Sequence, residues 1–392
     1  MSSDAAYLLA LNSIHGIGPV GAVSIATRFK TPEELASVPT AALNEALGEK
    51  CAGLVRAQLN NGWQSLLVRS QSRVTDHLTA DIRPLAITEA DYPPLLRLIP
   101  DPPPVLYAKG NIDILKVLDA IAIIGTRSPT ALGVDVASRA ARRFAQSGFV
   151  IVSGLAKGID SAAHSSACED GFTVAVLANS LDTVYPAENR KLADRILKCG
   201  GTLVSELALG ERTFKNGFVR RDRIQSGLSL AVIPVQSDIE GGTMHTVRFA
   251  ETQKRLLFCP TPPQQESSRK EYAGIWHLIR SGRAKPFDPE VLTQIREYKS
   301  RLVREHALVD MPLPQRPTRQ QVAQEHPETS GPLVSEEELL MQKLEKICRD
   351  VGLDKNKKAF NNLFTKLRHR LFGKTPKKSK VQVSEDQGKL IE

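Results

Sequence analysis

The sequence is poor in the features that mark several specialised protein classes. Five cysteines (Cys51, Cys168, Cys199, Cys259, Cys348) are scattered through 392 residues without a CxxC pair. That spacing argues against a zinc ribbon or a disulfide framework and fits a reducing compartment. No run of 18 apolar residues occurs, and no basic segment precedes the short apolar stretch near the beginning. Neither a membrane span nor a secretory signal is expected, and the chain reads as cytoplasmic, with no membrane partner. Aromatics make up only 5% of the residues, so stacking on rings is not the expected dominant mode of binding. Acidic residues are outnumbered by basic ones, 43 to 52, for a net charge of +9. Residues 341–392 hold 14 Lys or Arg and 6 Asp or Glu, which leaves the first 340 residues near neutral. A cationic end favours a polyanionic partner, or it is a solvated, solubilising tail; both readings stand. What remains is a folded composition, 41% hydrophobic and 24% charged, long enough for two or three domains.

Residues 1–80 carry apolar positions at helical spacing: Leu8, Leu9, Leu11, Val20, Val23, Ile25 and Phe29, then Leu35, Leu43, Leu47, Leu54, Val55 and Leu59. Thr31, Pro32 and Glu34 have the spacing of a capping box with proline at the first helical position. A proline-studded, extended connector is expected over 81–118. From 119 onward, apolar runs bounded by glycine (120–125, 149–154, 172–178, 201–206, 228–235, 255–260) alternate with amphipathic stretches. Continuous apolar strands separated by helices predict a Rossmann-like, doubly wound and mostly parallel α/β sheet. The expected organisation is an N-terminal helical domain over 1–80 and a connector plus Rossmann-like domain over 81–295. A Pro-rich linker over 296–334, a small helical module over 335–372 and a basic tail over 373–392 follow.

Four stretches carry chemistry. The turn around Ile14-His15-Gly16-Ile17-Gly18 has no strand before it, so a dinucleotide site is excluded. It has the form of a helix-hairpin-helix turn, offering backbone N–H groups to a phosphate, or an αα-turn that serves packing alone. Gly125-Thr126-Arg127-Ser128 stands directly after a buried strand and before a helix, where open α/β sheets bind ligands. Its hydroxyls and planar guanidinium suit phosphate oxygens. The GxGxxG spacing and a ribose-binding acid are missing, which argues against a nicotinamide enzyme. In Ser153-Gly154-Leu155-Ala156-Lys157-Gly158, two glycines let backbone approach a ligand, Ser153 supplies a hydroxyl and Lys157 a charge. Asp160 is read as the cap of the following helix, and His164 as structural or ligand-packing. Lys215, Arg220, Arg221 and Arg223 crowd the start of a further helix. Together with Gly242 and Thr243 they complete a basic pocket suited to a sugar-phosphate backbone.

The segments GTRSPTALG, SGLAKGIDSAAH, AVLANSLDTVYPAEN, LVSELALG and FVRRDRIQSGLS follow one another in the order of the DprA/Smf family of bacterial DNA-processing proteins, which this chain resembles over about 85–290. The resemblance implies a dimeric Rossmann-like protein without catalytic turnover, cofactor or metal. Such a protein binds and protects single-stranded DNA and helps load the strand-exchange recombinase, in natural transformation or a related uptake or defence role. By matching position it assigns phosphate contacts to Arg127, Lys215, Arg221, Arg223, Ser153, Gly154 and Gly158. The chain departs from the pattern at Asp222, where the family has Asn between two arginines, at Ala178, and over 241–247. A carboxylate at 222 is expected to pair with its arginine neighbours and to weaken or re-aim a phosphate site. Residues 335–372 read as helices only, without the wing of a winged helix. Two alternatives use the same loops. One is a nucleotide or second-messenger sensor; the other is a phosphoribohydrolase (nucleotide N-glycosidase) built on Glu240-Gly241-Gly242-Thr243 with Thr246 and Glu251. A DNA binder should present a continuous basic groove from Arg127 to Arg223, a sensor a closed pocket, and an enzyme a carboxylate at the ribose.

Overall fold

The computed structural model describes residues 3–213, 216–266 and 268–315. The chain divides into two compact units, 1–325 and 326–392, and only the first contains described residues. Lys215, the linker beyond 315, the helical module and the basic tail lie outside them.

Six helices come first: α1 (Ser3–Asn12), α2 (Pro19–Arg28), α3 (Pro32–Ser37), α4 (Thr40–Leu47), α5 (Glu49–Asn60) and α6 (Trp63–Thr79). Leu8, Leu11, Ile25, Leu35, Leu43 and Val55 are buried, as their spacing requires, whereas Val20 is 66% exposed. The α3 cap forms with one difference from a strict capping box: the Glu34 amide donates to Thr31 Oγ1 at 3.1 Å, but Glu34 Oε2 accepts from the amide of Lys30, one residue before the cap, at 2.8 Å. In the 13–18 turn, Gly16 has φ +85° and lies so close to Leu54 that a Cβ would sit 2.9 Å from it. Ile14 and Ile17 are buried beside it, so the inner face of this hairpin is packed against α5.

After the helices come β1 (Arg83–Ala86), α7 (Pro94–Arg97), β2 (Val105–Gly110), β3 (Ala120–Ile124), α8 (Ala131–Gln146), β4 (Val150–Ser153), α9 (Ile159–Asp170) and β5 (Thr173–Val176). The chain continues through α10 (Arg190–Lys198), β6 (Thr202–Ser205), α11 (Gly217–Gly227), β7 (Ala231–Pro234), α12 (Thr243–Thr252), β8 (Leu256–Cys259), α13 (Lys270–Arg280), β9 (Lys285–Pro286) and α14 (Val291–His306). The strands form one sheet in the order β1-β2-β6-β5-β4-β3-β7-β8-β9. Pairings from β6 through β9 are parallel; β1–β2 and β2–β6 are antiparallel. All six apolar runs are strands, β3 to β8. In β3, Ile121 and Ile123 enter one apolar layer, with α8, α9 and α14. Ala120, Ala122 and Ile124 enter the other, which is continuous with the N-terminal helices. Burial on both faces is why these strands read as unbroken apolar runs.

Two expectations are corrected. The 81–118 connector is not merely extended: β1 and β2 add two antiparallel strands to the sheet, with Pro84 tolerated because β1 is an edge strand. The linker does not begin at 296, because α14 runs through to His306. Its Val291, Ile295, Tyr298 and Leu302 recur at four- and three-residue spacing and are buried against the sheet.

Candidate nucleic-acid interface

Strand order fixes where a ligand can sit. From β3 the chain steps outward through β4, β5 and β6, then returns to pair β7 on the other side of β3. The loops leaving β3 and β7 therefore part company at the carboxyl edge and leave a crevice. Because each helix runs back against the strand before it, α8, α9, α11 and α12 all start at this edge. Their amino ends carry partial positive charge and outward N–H groups.

The crevice is a cavity of about 450 Å³ lined by Gly125, Thr126 and Arg127 from the β3 loop and by Gly241, Gly242 and Thr243 at the start of α12. Arg221 and Asp222 of α11 form part of its wall. A neighbouring cavity of about 480 Å³ shares Arg127, Phe218 and Arg221 and adds Gly154, Lys157 and Tyr185. The structure thus brings together eight of the residues expected at the site: Gly125, Thr126, Arg127, Gly154, Lys157, Arg221, Gly242 and Thr243. Ser128 is exposed just beyond, its amide donating to Thr126 Oγ1 at 3.3 Å.

Arg127 and Lys157 are the exposed cations of the group, and Arg127 is the one without an ion pair among the described residues. Its guanidinium carbon lies 5.3 Å from the centre of the Phe218 ring, and that ring lies 5.5 Å from the ring of Tyr185, which is 54% exposed. Nothing in the spacing of Tyr185 and Phe218, 33 residues apart in the sequence, marks them as a pair. A low overall aromatic content says nothing about two rings that a loop and a helix start bring together.

The β4 loop is held from within the chain. One oxygen of Asp160 accepts from the amides of Gly154 (3.1 Å) and Ala156 (3.3 Å). The Asn189 side chain donates to Leu155 O at 2.8 Å, and Ser161 Oγ donates to Ala156 O at 2.7 Å. Leu155 is thereby kept at φ +57°, a left-handed conformation that costs a branched residue about 1–2 kcal/mol. The guanidinium of Arg221 donates to the carbonyls of Gly154 and Val176 and to Asp222 Oδ1. A Cβ at Gly154 would fall 2.5 Å from that guanidinium, and one at Gly158 (φ +82°) would fall 2.5 Å from Thr126 O. Close approaches inside the protein already call for glycine at both positions.

Several individual expectations change accordingly. Asp160 braces the loop rather than capping α9. Burial pushes its carboxyl up to about 6, against the lowering effect of Arg221. Ser153 is fully buried and donates its hydroxyl to Ile123 O at 2.6 Å, so it does not reach the crevice. Lys157 faces Glu188 in an exposed ion pair. Asp222 pairs with Arg221 at 3.1 Å as expected, and burial raises its carboxyl.

Arg220 and Arg223 line a third cavity, with Arg73 and residues of α1 and α2. There Glu206 binds both Arg220 and Arg223, Asp101 lies 3.3 Å from Arg223 Nε, and Glu211 pairs with Arg73. The basic groove from Arg127 to Arg223 is therefore interrupted by acids. His164 is buried, with Nδ1 2.7 Å from Thr173 Oγ1. Burial, with the charge of Arg221, pushes its imidazole down to about 3, so it is a neutral core group. Glu251, the carboxylate of the phosphoribohydrolase reading, is bound through both oxygens by Arg283 at 2.6 and 2.7 Å and is not among the residues lining the crevice. Among the described residues, no group of three or more His, Cys, Asp or Glu is placed to hold a metal ion, and no helix is long and apolar enough to cross a membrane.

A doubly wound sheet with glycine- and hydroxyl-bearing loops and an arginine free of ion pairs at its switch point has the chemistry of a site suited to phosphate-bearing ligands. The comparisons specify the class further. The family described as DNA recombination-mediator protein A matches residues 83–297, more than half of the chain, and the chain belongs to that family. The Smf protein of Synechocystis sp. is 35% identical over 289 residues, covering 72% of this chain and 70% of the relative. The DNA processing protein DprA of Bacillus subtilis is 40% identical over 178 residues, 45% of this chain and 60% of the relative. The X-ray structure of DNA processing protein A from Streptococcus pneumoniae aligns with a TM-score of 0.56 at 26% identity, over 73% of this chain and 95% of that one. The role that goes with membership is DNA processing as a recombination mediator.

Proposed function

We propose that the chain binds single-stranded DNA at the carboxyl edge of its sheet, without catalytic turnover, and passes it as a homodimer to the strand-exchange recombinase. The observation that carries the reading is the placement of Arg127. It has no carboxylate partner among the described residues, stands between two cavities and rests on the Phe218–Tyr185 pair. Phosphates would meet Arg127, Thr126, Ser128 and the amino end of α12. An unstacked base would lie on Tyr185 or Phe218, a contact available to a single strand but not to the stacked bases of a duplex. Lys215 belongs to the proposed set by its position in the sequence, as do Arg221 as organiser of the β4 loop and the domain organisation that places the helical module after this unit.

The test is fluorescence anisotropy with labelled single-stranded and duplex oligonucleotides of one length across a salt series, on wild type and Tyr185→Ala. The expected result is preference for the single strand, a falling affinity with salt, and roughly fivefold to hundredfold weaker binding in the variant, the loss of about 1–3 kcal/mol per stacked base. Equal affinity for duplex and single strand would overturn the proposal.

A further inference from the structure

The crevice between the β3 loop and α12 has two chemically opposite zones. Its rim offers donors: the Arg127 guanidinium, the Thr126 hydroxyl, and Gly242 and Thr243 at the start of α12. The α11 wall offers acceptors. Gln225 lines the cavity and is only 2% exposed. Its Nε2 donates to Asp222 Oδ1 at 2.7 Å, which settles which end of the amide faces the carboxylate. Its Oε1 is left buried with no hydrogen-bond partner among the described residues. A buried carbonyl without a donor is uncommon in a native fold and calls for one. Asp222 adds a second acceptor: it receives bonds at Oδ1 from Arg221 and Gln225 and a further one from Thr246, and a carboxylate, with about four lone-pair sites, has room for one more.

A phosphate is drawn to the rim, because Arg221 in the wall is already paired with Asp222 and the acceptors there offer a phosphate no hydrogen. The wall requires an N–H donor carried by the same ligand. Resting on the single-stranded DNA reading above, we infer that the crevice selects nucleotides whose base bears an exocyclic amine, taking cytosine or adenine in preference to thymine. Cytosine presents an amine at the position where thymine presents a carbonyl oxygen. That oxygen would oppose both Asp222 and Gln225 Oε1, while the amine satisfies them. The discrimination belongs to this chain's carboxylate: an Asn at 222 can turn either its oxygen or its NH₂ toward the ligand and would accept both pyrimidines.

The test compares oligo(dC), oligo(dA) and oligo(dT) of equal length by anisotropy, at one salt concentration and mildly alkaline pH, on wild type, Asp222→Asn and Gln225→Met, with thermal melts as a folding control. The expected result is about tenfold tighter binding of oligo(dC) than oligo(dT), the effect of one buried acceptor left unpaired, with oligo(dA) siding with oligo(dC). In Asp222→Asn the ratio should fall to within about twofold, mainly through weaker oligo(dC) binding. Gln225→Met should shrink it in the same direction. Equal binding of the two pyrimidines by wild type, or a preference for oligo(dT), overturns the selection while leaving the DNA reading intact. Failure to bind any oligomer overturns both. A wild-type preference that survives unchanged in both folded variants overturns the assignment to this wall.

Discussion

Two arginine-bearing cavities lie along the same sheet edge, and they differ in what the arginines already hold. In the cavity against α1 and α2, Arg73, Arg220 and Arg223 face Glu211, Glu206 and Asp101. In the switch-point crevice, Arg127 faces an aromatic ring and makes no ion pair among the described residues. A guanidinium already bound by carboxylates must give them up to take a phosphate; one resting on a ring need not. Availability of charge, rather than the number of basic residues, decides which of the two cavities is better suited to a phosphate.

Arg221 belongs to the crevice by position and to the scaffold by bonding, so it is the strongest probe of the contrast. Arg221→Met should lower the unfolding free energy by about 3–5 kcal/mol in denaturant melts, because it strips donors from two buried carbonyls and the counter-charge from Asp222. Unchanged stability with lost DNA binding would make it a ligand contact instead.

Asp160 tests the brace on the β4 loop. Its folded pKa of about 6 lies above the ordinary 3.8, so the folded state binds its proton more tightly than the unfolded state does. The stability this group contributes is present below about pH 4 and is lost as pH rises through 6. Over that window wild type should lose roughly 3 kcal/mol more than Asp160→Asn, read from paired denaturant melts at each pH. Parallel pH profiles for the two proteins would contradict the burial argument.

The smallest effect belongs to Arg220→Ala. Its pair with Glu206 leaves the arginine side chain 47% exposed, and stability should change by no more than about 1 kcal/mol.

The doubly wound core was legible because strands buried on both faces leave unbroken apolar runs between glycines, as 120–125 and 149–154 do. The sheet's antiparallel margin was not, since β1 and β2 are set among prolines, from Pro84 to Pro104. At the site, the loops Gly125–Ser128 and Ser153–Gly158 declared themselves through glycine and hydroxyl chemistry beside strand ends. The bracing of the second loop did not, because Asn189 and Arg221 reach it from 34 and 67 residues away. For the same reason Glu206 and Asp101 were invisible as the partners that neutralise Arg223, and Ser153 could not be recognised as a buried hydroxyl spent on Ile123. Long-range pairing decides which polar side chains are free, and residue spacing does not encode it.

The most direct measurement is the salt dependence of single-stranded DNA binding for Arg127→Ala beside Arg220→Ala. The account predicts that Arg127→Ala weakens binding about tenfold or more and lowers the magnitude of the log–log salt slope by about 0.7, the loss of one phosphate contact. Arg220→Ala should stay within about twofold of wild type with an unchanged slope. The reverse pattern, with Arg220→Ala losing affinity and slope while Arg127→Ala keeps both, would contradict it and move the DNA to the cavity under the N-terminal helices.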